Sequence, residues 1–356
     1  MESSFVRRAA GAAIAASLLA SCGLSGAHSI ATSSNTMLTF AAYGGAGQQA
    51  MIDTYQKPYT AAHPEVTFVN TSPPDLAQLK AQVSSRAVKW DVVAVSPAAA
   101  TQGCGTLFEE LDFSGLDTTD LVPQTVGKCY LGNWINATPI AYRTEAFPDP
   151  KTAPKTAADF FDVRRFPGQR GITPSLQNGI LEYPLLADGV APKDIYPLDV
   201  DRSLKKLSTI RRQITLAPNI GALQQAVGAK QVDMFLLPDS RLVPLLNDGN
   251  DLTIVWDKTV TSLNAFAVPK GSANKEAARR FIQTVVSPAA VTGMSEALGT
   301  APVNTAARPN LPPNARKVQV YGPVNTGVSL YQDIGWYAQN FDQATAKLNE
   351  WMGAGE

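Results

Sequence analysis

Histidine and cysteine are scarce, with two His and three Cys in 356 residues. Zinc sites draw three or four ligands of these types together, so most zinc constellations are excluded and catalysis by His is poorly supplied. Charge is also thin. Charged residues make up 17% of the chain, and thirty Lys and Arg balance thirty Asp and Glu. A zero net charge leaves no electrostatic footprint for a nucleic-acid backbone or an anionic membrane surface. No apolar run reaches the ~20 residues that a helix needs to cross a bilayer. What is present is a chain with 45% hydrophobic residues, ample for a sizeable core, whose length gives a prior of about two domains.

The first residues read as an address. Arg7 and Arg8 precede an apolar run at 9–20, about half the ~20 residues of a membrane span, and small residues follow it. The spacing predicts a signal peptide over 1–21. Leu19-Ala20-Ser21-Cys22 resembles the bacterial lipobox, which implies a lipid on Cys22; the alternative is a chance Cys beside an ordinary cleavage site. The flanks of Arg7-Arg8 match a twin-arginine signal poorly, which leaves the export route open. Residues 22–36, rich in Ser, Ala, Gly and Thr, read as the anchor and a flexible tether. Export would place Cys104 and Cys129 in an oxidising compartment, where a disulfide is the expectation and two reduced buried thiols the alternative.

From Met37 the pattern alternates. A strand at 38–42 ends at Tyr43-Gly44-Gly45-Ala46-Gly47, a helix follows at 48–62, a strand at 66–69, a helix opened by Asp75, and a buried strand at 90–95. This β-α-β-α-β order argues for a mostly parallel sheet with helices on both faces. Sites in such sheets form beyond the carboxyl ends of the strands, here at 43–47, 70–74 and 96–97. Gly45-Ala46-Gly47-Gln48-Gln49-Ala50 matches a dinucleotide fingerprint weakly, because Glu65 precedes the second strand rather than ending it. No cofactor is expected; the loop reads as a tight turn or as backbone facing a ligand. A second alternating region runs from 134 to 268, followed by helices at 275–286 and 288–298 and a last one at about 331–351.

The pieces Trp90-Asp91-Val92-Val93, Gly103-Cys104, Phe161-Asp162-Val163-Arg164-Arg165-Phe166-Pro167-Gly168, Leu185-Leu186-Ala187-Asp188-Gly189-Val190, Ile254-Val255-Trp256-Asp257 and Val268-Pro269-Lys270-Gly271-Ser272 occur in one order. With the Tyr43-Gly44-Gly45 loop and Cys129, they resemble the solute-binding lipoproteins of spermidine/putrescine-type ABC transporters. The resemblance implies an α/β, two-lobed type II periplasmic-binding-protein fold. Each lobe would be a doubly wound, mostly parallel sheet, the two joined by hinge strands near 137–142 and 262–268. Lobe one is then discontinuous, 37–138 plus 268–356, and lobe two is 139–267. It further implies a non-enzymatic protein that captures a small solute by hinge closure and delivers it to a membrane permease and its ATPase. Its place would be the periplasm or cell surface, and a monomer is expected. A ligand-presenting sensor of the same fold is the alternative.

The ligand-binding set carried over is Tyr43, Gly44, Gly45, Ser96, Trp134, Asn136, Ser175, Asp239, Arg241 and Asn264. Relatives often place acids where this chain has Ala94, Ser96, Pro97 and Asn264, which weakens a strict polyamine ligand, since a desolvated diamine needs carboxylates. One acid and one guanidinium suit a small zwitterion or polar monoamine better: Arg241 would fork onto a carboxylate while Asp239 takes an ammonium. The plain alternative makes both residues part of a solvated turn. A secreted hydrolase lacks parts, since there is no Gly-x-Ser-x-Gly elbow and His63 precedes a proline. Tyr331, Ile334, Tyr337, Phe341, Leu348 and Trp351 form an apolar stripe expected to pack across lobe one, with a dimer face as the alternative.

Overall fold

Short apolar runs punctuated by Gly, Pro and cap residues become strands and helices much as their spacing requires. The computed structural model describes residues 35–323, 325 and 327–354, so the expected signal peptide, Cys22 and the tether up to residue 34 lie outside the described residues. β1 (Thr36–Ala41) is flanked in parallel by β2 (Val66–Thr71) and β3 (Val92–Val95). The helix Leu76–Ser84 links β2 and β3, and its cap is the expected one: the Gln78 amide donates to Asp75 Oδ1 at 2.7 Å. Every residue of β3 is buried, as a strand covered on both faces must be.

Two long strands carry the chain onward. β4 (Leu131–Arg143) runs antiparallel to β8 (Leu252–Ala267), and together they join two parallel triplets. The second triplet is β5 (Arg170–Ile172) between β6 (Ile214–Leu216) and β7 (Met234–Leu236), with β7 antiparallel to β4. β9 (Val328–Tyr331) adds in parallel to β8. The order is β2-β1-β3-β8-β4-β7-β5-β6. The hinge strand expected near 262–268 is therefore the end of one longer strand. Its middle, Trp256-Asp257-Lys258-Thr259, breaks the apolar pattern, and Lys258–Thr261 pairs with β9.

The long strands change cores partway. Trp134, Ile135 and Ala137 of β4, with Leu263 and Phe266 of β8, belong to one apolar core. Ile140 and Tyr142, with Val255 and Val260, belong to a second, and a smaller third core lies around Ala141, Phe235 and Leu242. The exchange falls between Ala137 and Ile140, where the β4–β8 register also shifts, and between Val260 and Leu263. The terminal helix Ile334–Gly353 departs from its expected place. Tyr337, Ala344, Leu348 and Trp351 enter the second core while Ile334 rests on the first. Its last carbonyls, on Trp351 and Met352, accept from the Arg211 guanidinium at 2.7 Å each, and that group also stacks 4.1 Å from the Trp351 ring.

Two sequence features prove structural. Cys104 and Cys129 are bridged, with Cα atoms 5.5 Å apart. The Phe-Pro-Gly segment wraps a buried guanidinium: Arg170 donates to the carbonyls of Phe160 (2.8 Å), Gly168 (2.9 Å) and Phe166. Burial lowers the Arg170 pKa to about 10, with Asp233 and Asp162 opposing the shift.

Candidate ligand-binding cleft

Five strand ends converge on one space. The segments after β1, β2, β5, β6 and β7 contribute Tyr43, Ser72, Ser175, Asn219 and Arg241 to a cavity of about 510 Å³, closed by Trp134 and Asn136 of β4 and Asn264 of β8. Ser96, after β3, faces a smaller chamber of about 270 Å³ that shares Tyr43, Pro74, Pro174, Ser175 and Gln177 with the first. This is where parallel sheets place ligands, at a size usual for small molecules, roughly 300–1,000 Å³.

The cavity has one formal charge on its wall. Among the described lining residues of both spaces, Arg241 is the single ionised side chain, and no Asp, Glu, Lys or His accompanies it. Arg241, on the first turn of the helix Asp239–Asn247, is 6% exposed. Nη2 donates to the Tyr43 carbonyl at 3.1 Å and Nη1 to Gln224 Oε1 at 3.3 Å. Both partners are neutral. Burial pulls its pKa down, and the Tyr43 phenol opposes that shift; burial likewise raises the Tyr43 phenol, against the pull of Arg241. A guanidinium stays protonated regardless, so a desolvated cation faces the cavity without a carboxylate. The first turn of the helix Ile220–Gly228 lines the same space, and its cap is Asn219 Oδ1, which accepts from the Ala222 amide at 2.9 Å. Its dipole adds positive potential there.

The glycine loop serves this arginine. At Gly45, φ is +60° and a Cβ would stand 3.2 Å from Arg241 Nη1. The Gly44 amide is occupied, donating to Gln48 Oε1 at 3.2 Å, and Gln48 Nε2 donates to Asn70 Oδ1 at 3.0 Å. The loop therefore makes room for a guanidinium, and the second strand ends on an amide rather than a ribose-binding acid. No cluster that would hold a metal ion occurs among the described residues.

A family model for bacterial extracellular solute-binding proteins matches residues 50–320. The chain belongs to that family. It is 29% identical over 321 residues to the gamma-aminobutyric acid-binding protein of Pseudomonas aeruginosa, covering 88% of this chain and 90% of that one. Among solved structures it is similar to the Atu4243 GABA receptor, at 31% identity and TM-score 0.78, covering 89% of this chain and 97% of that one. An ABC transporter substrate-binding protein from Bradyrhizobium japonicum gives 27% identity and TM-score 0.79, covering 89% and 100%. The fold is accordingly the type II periplasmic-binding-protein fold. The molecule is an extracellular solute-binding protein of an ABC transporter, and its family captures solutes rather than converting them.

In this solute-binding protein the expected residues separate into groups. Tyr43 and Ser175 line both spaces, Trp134, Asn136, Arg241 and Asn264 line the larger, and Ser96 lines the smaller. Trp134 is mostly core, 4% exposed, with Nε1 donating to Asn136 Oδ1 at 2.9 Å. Asn264 Nδ2 donates to Asn133 Oδ1 at 2.9 Å, while its own Oδ1 has no partner. Ser96 caps the helix Pro97–Gln102 through the Ala99 amide. Gly44 and Gly45 stand behind the wall. Asp239 requires a correction: it is fully buried, absent from the lining, and held by the amides of Ala137 (2.9 Å) and Ser240 (2.7 Å). Burial raises its pKa against those two donors. It fastens the start of a helix to β4 and is not presented to an ammonium. Gln177, whose Nε2 donates to the Leu263 carbonyl at 2.9 Å, and the turn Pro218 to Gly221 join the site without having been expected.

Proposed function

We propose that this protein captures a small zwitterion of the γ-aminobutyric acid kind, its carboxylate forked onto Arg241. The carrying observation is the charge count among the described lining residues of the cleft: one desolvated guanidinium, no acid, and a helix N-terminus beside it. A carboxylate there replaces lost hydration with charge-assisted hydrogen bonds. A diamine would bring two cations next to Arg241 with no carboxylate to meet them, which costs several kcal/mol. The names of two relatives, a gamma-aminobutyric acid-binding protein and a GABA receptor, support the reading. The single ammonium is left to neutral acceptors, Asn136 Oδ1 and Asn264 Oδ1, and to the faces of Tyr43 and Trp134.

Capture proceeds by closure of two lobes about the crossings at Ala137–Ile140 and Val260–Leu263, where the cores change, with the terminal helix counted mainly with the second core rather than with 37–138. The terminal helix, packed on both cores, steadies the pair. The loaded monomer, tethered through lipid on Cys22, then hands its solute to a permease and ATPase. Calorimetric titration with γ-aminobutyric acid and with putrescine tests the ligand class: binding of the first and silence for the second is expected, and the reverse overturns the reading.

A further inference from the structure

The smaller chamber has chemistry of its own. It opens beside the Arg241 cavity through Tyr43, Pro74, Pro174, Ser175 and Gln177, and no charged residue is among its described lining. Its far side is apolar, formed by Ala94 and Val95 of β3, by Ala98 just after it, by Leu263, and by Ile334 and Phe341 of the terminal helix. Some of the polar groups that reach it are occupied elsewhere, while the Thr345 hydroxyl is buried without a partner. Tyr337 Oη donates to Glu182 Oε1 at 2.8 Å, and Gln332 Nε2 donates to the same oxygen at 2.7 Å and to the Leu176 carbonyl at 2.8 Å. Gln177 Nε2 is held by Leu263 and the Ser96 hydroxyl by the Ala99 amide. With no charge on its described lining and an apolar far wall, this space disfavours an ion and accepts hydrocarbon.

We propose that this chamber is a second ligand subsite that receives an uncharged apolar substituent of the solute whose carboxylate rests on Arg241. The inference depends on the carboxylate reading of the main cavity. It widens the ligand class from a bare amino acid to an N-alkylated one, in which the secondary ammonium keeps its charge in the larger cavity and the alkyl arm enters the smaller. Ala98 and Thr345 line the smaller chamber alone and lie on different helices, Pro97–Gln102 and Ile334–Gly353. Filling it from either side shortens the arm it can accept.

The test is calorimetric titration of γ-aminobutyric acid and its N-butyl derivative into the wild-type protein, Ala98→Leu and Thr345→Phe. The expected result is that the wild type binds the N-butyl compound at least as tightly as the parent. Both variants then lose tenfold or more for the N-butyl compound and stay within twofold for the parent, which also reports that they are folded. Rejection of the N-butyl compound by a wild type that binds the parent overturns the proposal. Equal losses for the two ligands in both variants also overturn it, since the chamber would then be a gap that closes with the lobes. If neither compound binds any of the three proteins, the carboxylate reading itself falls, and this inference with it.

Discussion

Arg241 donates from Nη2 to the backbone oxygen of Tyr43 at 3.1 Å, across 198 residues of chain. That bond ties the first turn of the helix Asp239–Asn247 to the loop after β1, so one contact joins the two halves of the cleft and aims a cation between them. The arginine is desolvated in advance of its ligand, which is how a site is made costly when empty and selective when full.

Replacing Arg241 by Met separates these two roles. The ligand-free protein should melt no lower than the wild type, because a buried cation without a carboxylate partner is removed. Affinity for γ-aminobutyric acid should fall about 100-fold, or ~3 kcal/mol, the scale of a lost charge-assisted pair. Scanning calorimetry and ligand titration on the same samples report both.

Gly45→Val should act through Arg241. At φ +60° a β-branched residue is strained, and its Cβ would crowd Nη1 at 3.2 Å. We expect a loss of about 1–2 kcal/mol in stability together with a tenfold or greater loss in affinity. A change in stability alone would separate the loop from the arginine.

Asp239→Asn should show the opposite pattern to Arg241→Met. The side chain accepts from two amides and lines neither space, so stability should drop by about 1–3 kcal/mol while the ligand dissociation constant moves little. A selective loss of amine binding without loss of stability would restore Asp239 to the site.

Reduction, or the pair Cys104→Ser with Cys129→Ser, opens a loop of sequence separation 25. In the chain-entropy account this costs about 3 kcal/mol, or about 4–5 °C in melting temperature for a protein of this size. Thermal melts with and without reductant measure it. Binding at 25 °C should be retained, because the bridge lies away from the cleft lining.

Glu182 gives a pH dependence with a definite sign. It is fully buried, Tyr196, Tyr337 and Gln332 all donate to Oε1, and Oε2 has no partner. Burial raises its pKa, against those three hydrogen bonds. The folded state therefore binds more protons than the unfolded one between the unfolded carboxyl value, about 4.3, and the raised folded value. Its contribution to stability is full below about pH 4 and declines as pH rises through that window. Glu182→Gln removes the decline, so its melting temperature should gain on the wild type from pH 4 to 7; parallel curves would contradict this.

The first half of the cleft was legible because its strands are long enough to show a pattern and end in Gly, Pro and Ser. The loops at 43–47, 70–74 and 96–97 all supply lining residues. The second half was less so. β6 is three half-buried residues, Ile-Thr-Leu, too short for any period to show, and the turn Pro218 to Gly221 that follows it went unrecognised. Asp239 was misplaced for a different reason. Its partner amide at Ala137 lies 102 residues away, and no local signal tells a carboxylate that fastens a helix to a strand from one that meets a ligand. Arg241 was legible as a residue type in a turn, but its solitude on the cleft wall is a property of the assembled fold. The terminal helix shows the same limit: its stripe was evident, while its division between two cores follows from where the sheet turns.

The most direct test is a crystal structure of the protein with γ-aminobutyric acid bound. The account predicts a ligand carboxylate within hydrogen-bond distance of the Arg241 guanidinium, with the ammonium directed toward Asn136, Asn264 and the aromatic faces. A ligand seated in the cleft with its ammonium nearest Arg241, or with its carboxylate held elsewhere and Arg241 still bonded only to Tyr43 and Gln224, would contradict it.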